Sequence, residues 1–310
     1  MWYAFNMNLI KLKKKWLFLV LIVVIFVLTI SNIFFLLNLR KQKLFFVNKI
    51  HNGLTPSNIA KNAKPAPTSL PTPSPSPKPL TFKDINSIYG PCVNLPVLYY
   101  HHIQNLDVAK AAGQQNLTVG TDIFINQMQY LKDHNYITVA TSTLTDFFDK
   151  NVPVPKGSVI LTFDDGYEDF YVNVLPILKQ FSFKAVLALP TGLVSNPGFL
   201  TWDEISQAAT SGVEIINHTW SHANLATNNT DLIQKEITTA GDQLTQRGYN
   251  PNKAFVYPYG GYNDYTINFL QTHGYTMAFT TLPGSILCKQ QRFVLPRVRI
   301  GNTSLSAYGF

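Results

Sequence analysis

The sequence predicts an α/β fold, a parallel sheet with helices packed outside it, and three observations lead there. From about residue 90 onward, short apolar runs alternate with longer amphipathic stretches, the pattern of repeated βα units. Polar residues able to do chemistry follow directly after several of those runs, at the strand ends where parallel α/β folds gather their sites. What does not fit the alternation, a long apolar stretch and a proline-rich one, is confined to the first 80 or so residues.

The elements read as follows. Residues 95–100 form a buried strand. Residues 122–134 place Ile123, Ile125, Met128 and Leu131 at near-helical spacing, with Thr121 or Asp122 as the cap. A strand at 136–139 and a short helix at 142–149 precede the strand 158–163 and a helix near 172–181. Strand 184–189, helix 202–211, strand 213–216, helix 231–247, strand 254–256, helix 265–273 and strand 277–279 complete the series. Such a series closes either as an open sheet or as a barrel.

The 310 residues carry a net charge of +8, which on its face suits nucleic acid or a membrane. Its distribution decides between them. Eleven of the 25 basic residues lie before residue 80, where there is no acid, so the remaining fourteen face all 17 acidic residues. The globular part is mildly acidic and has no basic groove for phosphates, which excludes a nucleic-acid partner. Residues 16–39 lack any charge and are rich in Leu, Ile, Val and Phe; a helix of that length spans about 30 Å or more, enough for a bilayer. No small-residue cleavage site follows, which favours an uncleaved signal anchor over a removed signal peptide, and Lys11, Lys13, Lys14 and Lys15 place the N-terminus inside. Residues 51–79 are dominated by Pro, Ser, Thr, Asn, Ala and Lys and cannot bury a core; they read as an extended stalk. The two cysteines, Cys92 and Cys288, fit either a bridge across the globular region or two buried thiols.

Four strand ends carry chemistry. Leu161-Thr162-Phe163-Asp164-Asp165-Gly166 puts two carboxylates side by side; their repulsion is offset best if a metal neutralises one while the other acts as a base, although an Asp-Gly turn is the plainer explanation. Asn217-His218-Thr219-Trp220-Ser221-His222 offers two histidines four residues apart. Alone these are commonly a surface pair; with a carboxylate they make a ligand set for a catalytic zinc that keeps open positions. Tyr100-His101-His102 ends the first strand, and the period of two sends only one of these histidines into a site. Tyr257-Pro258-Tyr259-Gly260-Gly261-Tyr262 suits a wall for a sugar ring, with exposed amides for an oxyanion. His51, His134 and His273 sit among polar neighbours and read as solvated.

In order, the Asp164-Asp165, His218/His222 and Tyr257-Pro258-Tyr259-Gly260 segments resemble the first three motifs of the NodB-homology polysaccharide deacetylases, carbohydrate esterase family 4, over roughly residues 92–300. The resemblance implies a distorted (β/α) barrel with Asp165, His218 and His222 binding a divalent metal, zinc or another transition ion. It implies Asp164 as general base and the Tyr259 amide, with its neighbours Pro258 and Gly260, at the oxyanion. Val256 stands where the family's third motif has arginine, and the late Leu-x-His motif is missing. The opening segment Leu95-Pro96-Val97-Leu98-Tyr99-Tyr100-His101-His102 resembles the circularly permuted branch that contains the poly-N-acetylglucosamine deacetylases; it implies His101 as the acid, ahead of His102. Arg297 is offered as a substitute for the missing arginine. The expected organisation is a basic segment at 1–15, a transmembrane anchor at 16–39, a linker at 40–88 and a catalytic domain at 89–310. The expected function is metal-dependent removal of N-acetyl groups from an extracellular N-acetylglucosamine polysaccharide by a single-pass membrane protein. Action on peptidoglycan or O-acetylated polymers, or an inactive sugar-binding relative, stand as alternatives.

Overall fold

The structure, a computed structural model, describes residues 80–310. The transmembrane anchor expected at 16–39, the basic segment and the linker up to residue 79 lie outside the described residues. Among the described residues no helix is long and apolar enough to cross a membrane.

In chain order the elements are α1 (Phe82–Tyr89), β1 (Cys92–Asn94), β2 (Val97–Tyr100), β3 (His102–Ile103), α2 (Leu106–Ala111), β4 (Thr118–Val119), α3 (Thr121–Asp133), β5 (Ile137–Thr138), α4 (Thr141–Lys150) and β6 (Ser158–Asp164). A π-helical turn at Phe170–Val174 then leads into α5 (Leu175–Phe181), β7 (Ala185–Leu189), α6 (Trp202–Thr210), β8 (Val213–Asn217), α7 (Thr230–Thr245), β9 (Ala254–Val256), α8 (Asp264–Thr272), β10 (Met277–Pro283), β11 (Ile286–Cys288) and β12 (Leu295–Arg299). The helix starts follow their caps. Thr201 and Glu204 form a capping box on α6, and Asn229 and Asn263 accept from the first turns of α7 and α8. Helix α3 differs from expectation: Gly120 is its N-cap, and neither Thr121 nor Asp122 caps it.

Seven parallel strands close a barrel in the order β2-β12-β10-β9-β8-β7-β6, with β6 pairing back to β2. Two differences from the sequence expectation matter. Strand β5 stays outside the ring, because it pairs only with Ser158 and Val159, and β2 takes the same edge of β6 from Ile160 onward. Its place is filled by β12, which a search for apolar runs misses because Pro296, Arg297 and Arg299 interrupt the pattern.

Alternation along the strands sorts the core. Val97, Ile160, Val186, Ala188, Ile216, Val256, Phe279 and Leu295 pack together inside the barrel. Leu98, Tyr100, Leu161, Phe163, Leu187 and Ile215 pack outward against Phe124, Met128, Leu131, Leu178 and Ile205 of the helices. The inward parity, carried to the C-terminal strand ends, falls on Thr162, Asp164, His218 and Arg297. The ring therefore has an apolar floor and a polar mouth.

Candidate active site

At the end of β6 the chain turns sharply: Asp165 has φ 75° and Gly166 φ 70°. That positive φ favours glycine at 166, and a Cβ there would also press on Leu189 Cδ1 at 2.7 Å. The turn separates the paired carboxylates. Asp164 keeps the inward parity of the strand, and Asp165 swings to the histidines.

Asp165 Oδ1 lies 3.0 Å from His222 Nε2 and 3.3 Å from His218 Nε2. His218 Nδ1 is 2.7 Å from the Val256 carbonyl, which can only accept; His218 therefore carries its proton on Nδ1 and, when neutral, turns a lone pair from Nε2 toward the carboxylate. His222 Nδ1 is held at 3.2 Å by the Tyr259 hydroxyl. Asp165 Oδ1 is buried and lacks a hydrogen-bond partner. The His218 lone pair and the buried carboxylate oxygen repel unless a cation sits between them, and His222 Nε2 faces the same oxygen, so the donor set fits a divalent metal. These three are the residues that would hold it, with all donor atoms within 4.8 Å of one another.

Asp164 is gripped from across the barrel. Arg297 Nη1 and Nη2 meet its two oxygens at 2.9 and 2.7 Å, and Nη1 also donates to Thr162 Oγ1. The Arg297 Nε donates to the Thr280 carbonyl, and the guanidinium stacks over the Tyr99 ring at 4.3 Å. Burial raises the Asp164 carboxyl, and the Arg297 charge and hydrogen bonds more than reverse this, leaving it ionised. Val256, in the position of the absent motif arginine, gives its side chain to the apolar floor and its carbonyl to His218. The guanidinium comes instead from β12.

The two adjacent histidines have separate surroundings. Strand β2 stops at Tyr100, so His101 occupies the bend before β3. Burial pushes its imidazole down, while the charges of Asp164 and Asp165 pull it back up. Its ring meets Tyr99 edge-on, 5.8 Å between centres, beside the ring on which Arg297 stacks. His102 is buried, stacked on Tyr167 at 3.7 Å, with Nδ1 2.9 Å from Asp169, which also accepts the Ile103 amide. It braces the rim.

After β9, Pro258 is buried, and Tyr259 takes a left-handed conformation, φ 59°, with its ring exposed. The amides of Gly260 and Gly261 are consumed by the Tyr257 and Pro258 carbonyls, while among the described residues the Tyr259 amide meets no acceptor. That amide is free for an oxyanion; the Tyr259 hydroxyl, which sequence reasoning did not use, orients His222. Thr219 and His222 are also left-handed, φ 68° and 61°. Non-glycine residues in this region cost about 1–3 kcal/mol each and gather where surroundings enforce them. Sequence reasoning also passed over Glu236, the one acid among Ile233, Ile237 and Ala240 on the buried face of α7. An acid on an apolar helical face was the available signal.

Comparisons with known proteins point to one family. A family described as polysaccharide deacetylase matches residues 151–278. The Bacillus subtilis protein YxkH, named for polysaccharide deacetylation, is 28% identical over 216 residues, covering 69% of this chain and 75% of that one. The poly-β-1,6-N-acetyl-D-glucosamine N-deacetylase of Escherichia coli is 29% identical over 248 residues, covering 66% of this chain; the match spans 36% of that enzyme's own length. Among solved structures, the Streptococcus pyogenes deacetylase PplD in complex with acetate superposes with a TM-score of 0.63 at 30% identity, covering 67% of this chain and 92% of that one.

Proposed function

The chain belongs to the polysaccharide deacetylases, hydrolases of N-acetyl groups, and from that premise we propose that it deacetylates an N-acetylglucosamine polymer outside the cell with the help of a divalent metal. One observation carries the reading: the Nε2 atoms of His218 and His222 converge on one oxygen of Asp165, while the neighbouring Asp164 is held ionised by Arg297. A divalent cation bound there supplies Lewis acidity toward water and the amide carbonyl.

The chain's own residues supply the rest. Asp164 accepts the proton of the attacking water, and Arg297 keeps that carboxylate aimed and charged. The Tyr259 amide donates to the oxygen that becomes negative as the carbonyl carbon turns tetrahedral, a contribution of about 3 kcal/mol. His101 delivers a proton to the sugar nitrogen as the C–N bond breaks, leaving acetate and a free amine. Burial lowers the His101 pKa, and the proton it delivers is replaced by the one Asp164 takes from water. With Arg297 on Asp164, the absence of arginine at Val256 does not argue for an inactive relative.

The polymer and the location are part of the proposal. The E. coli relative's name points to β-1,6-linked poly-N-acetylglucosamine. The Cys92–Cys288 disulfide suits an oxidising compartment. Together with the uncharged stretch at 16–39, it supports a single-pass membrane protein with its catalytic domain outside. The test is acetate release from β-1,6 and β-1,4 N-acetylglucosamine oligomers and from peptidoglycan, with and without chelator. Chelator-sensitive release, greatest from the β-1,6 oligomer, is expected; release from peptidoglycan alone would overturn the substrate assignment.

A further inference from the structure

The loop from His218 to His222 carries two of the three proposed metal ligands on a strained backbone, and one turn of α7 holds it. Glu236 is 2% exposed. Its Oε2 accepts the amides of Trp220 and Ser221 at 3.0 and 2.7 Å, and its Oε1 accepts the Ser221 hydroxyl at 2.6 Å. One residue later, the Ile237 carbonyl accepts Asn217 Nδ2, while Asn217 Oδ1 accepts the Thr219 amide at 2.8 Å. One residue earlier, Lys235 Nζ lies 5.1 Å from the centre of the Trp220 ring. From the opposite side, the Thr191 and Gly192 amides donate to the Thr219 and Trp220 carbonyls. Gly192 admits no side chain, since a Cβ would lie 2.7 Å from the Trp220 carbonyl oxygen.

Helix packing does not explain an acid at this position. An apolar residue of similar size would pack against Ile233 and Ile237 without the desolvation that a carboxylate suffers. What the carboxylate adds is three acceptor bonds directed at two consecutive residues of the ligand loop. We infer that Glu236 is a positioning residue for the metal centre: by gathering the Trp220 and Ser221 amides it sets the spacing at which His218 and His222 face Asp165. The inference rests on those three residues being the ligands.

The test uses the full chain, stripped with chelator and titrated with Co2+ while its visible absorption is followed. Glu236→Met keeps the length of the side chain but offers neither carboxylate oxygen, so the two amides and the hydroxyl all lose their acceptor. Its Co2+ affinity is expected to fall about 10- to 100-fold, with a changed absorption band, and Glu236→Asp is expected to recover part of the loss. Wild-type affinity and an unchanged band in Glu236→Met overturn the inference, even if that variant melts at a lower temperature. If Glu236→Met does not fold, Ser221→Ala removes a single bond of the set and is read the same way: a several-fold loss supports the inference, and no loss overturns it. A wild-type chain that binds no Co2+ overturns the ligand assignment instead, so the two failures are distinct.

Discussion

Asp164 and Arg297 form an ion pair from which water is almost excluded, with side-chain exposures of 4% and 0%. Breaking such a pair by removing one partner costs about 3–5 kcal/mol, because the other charge is left buried. Arg297→Met is therefore expected to lower stability by about that amount in denaturant titration and to abolish acetate release. Adding Asp164→Asn to it should restore most of the stability and none of the activity. Asp164→Asn alone separates the two carboxylates: it is expected to bind metal like the wild type while losing acetate release, since only the base is removed. Full activity in that variant would falsify the assigned base. At this scale the sequence was informative where partners are close along the chain. His218 and His222 share one loop, and Asp164 and Asp165 are adjacent. Arg297 lies 133 residues from Asp164, and only closure of the ring brings β12 and its guanidinium to that carboxylate.

Among the elements, the turn after β9 shows how backbone geometry serves the site. Gly260 has φ +71°, and a Cβ there would collide with the Thr281 hydroxyl. Gly260→Ala should displace the Tyr259 amide and hydroxyl together, lowering kcat for acetate release at least tenfold while the barrel stays folded by circular dichroism; unchanged kcat would contradict the role given to this turn. The apolar strands from β6 to β10 were readable because each is a buried run bounded by polar residues. Strand β12 was not, because its inward position Arg297 answers to Asp164 rather than to the apolar floor. Strand β5 was legible as a strand, but its exclusion from the ring depends on how β2 and β6 pair, which no local pattern encodes. His101 was singled out on strand parity joined to a family resemblance, and the structure places it in a bend beyond the strand end.

For the whole molecule, the link between Cys92 and Cys288 closes the described domain across 196 residues, joining partner positions of β1 and β11. The sequence left this pairing open because it requires those two short strands to meet. Loop-closure entropy for a segment of that length limits the stabilisation to about 5 kcal/mol. Denaturant titration with and without reductant, or of Cys92→Ser, is expected to show a loss of several kcal/mol; an unchanged midpoint would mean that the bridge does not constrain the unfolded chain. A mildly acidic domain suits an uncharged sugar polymer, and the basic residues concentrated before residue 80 suit a membrane surface. On the function proposed above, one divalent ion held by Asp165, His218 and His222 makes this chain an N-deacetylase. The most direct test is to remove metal from the full chain and return it in measured steps while acetate release from an N-acetylglucosamine oligomer is followed. Activity should be absent at the start and reach a plateau at one ion per chain, with Asp165→Ala failing to recover. Full activity before any metal is returned, or full recovery in Asp165→Ala, would contradict the account.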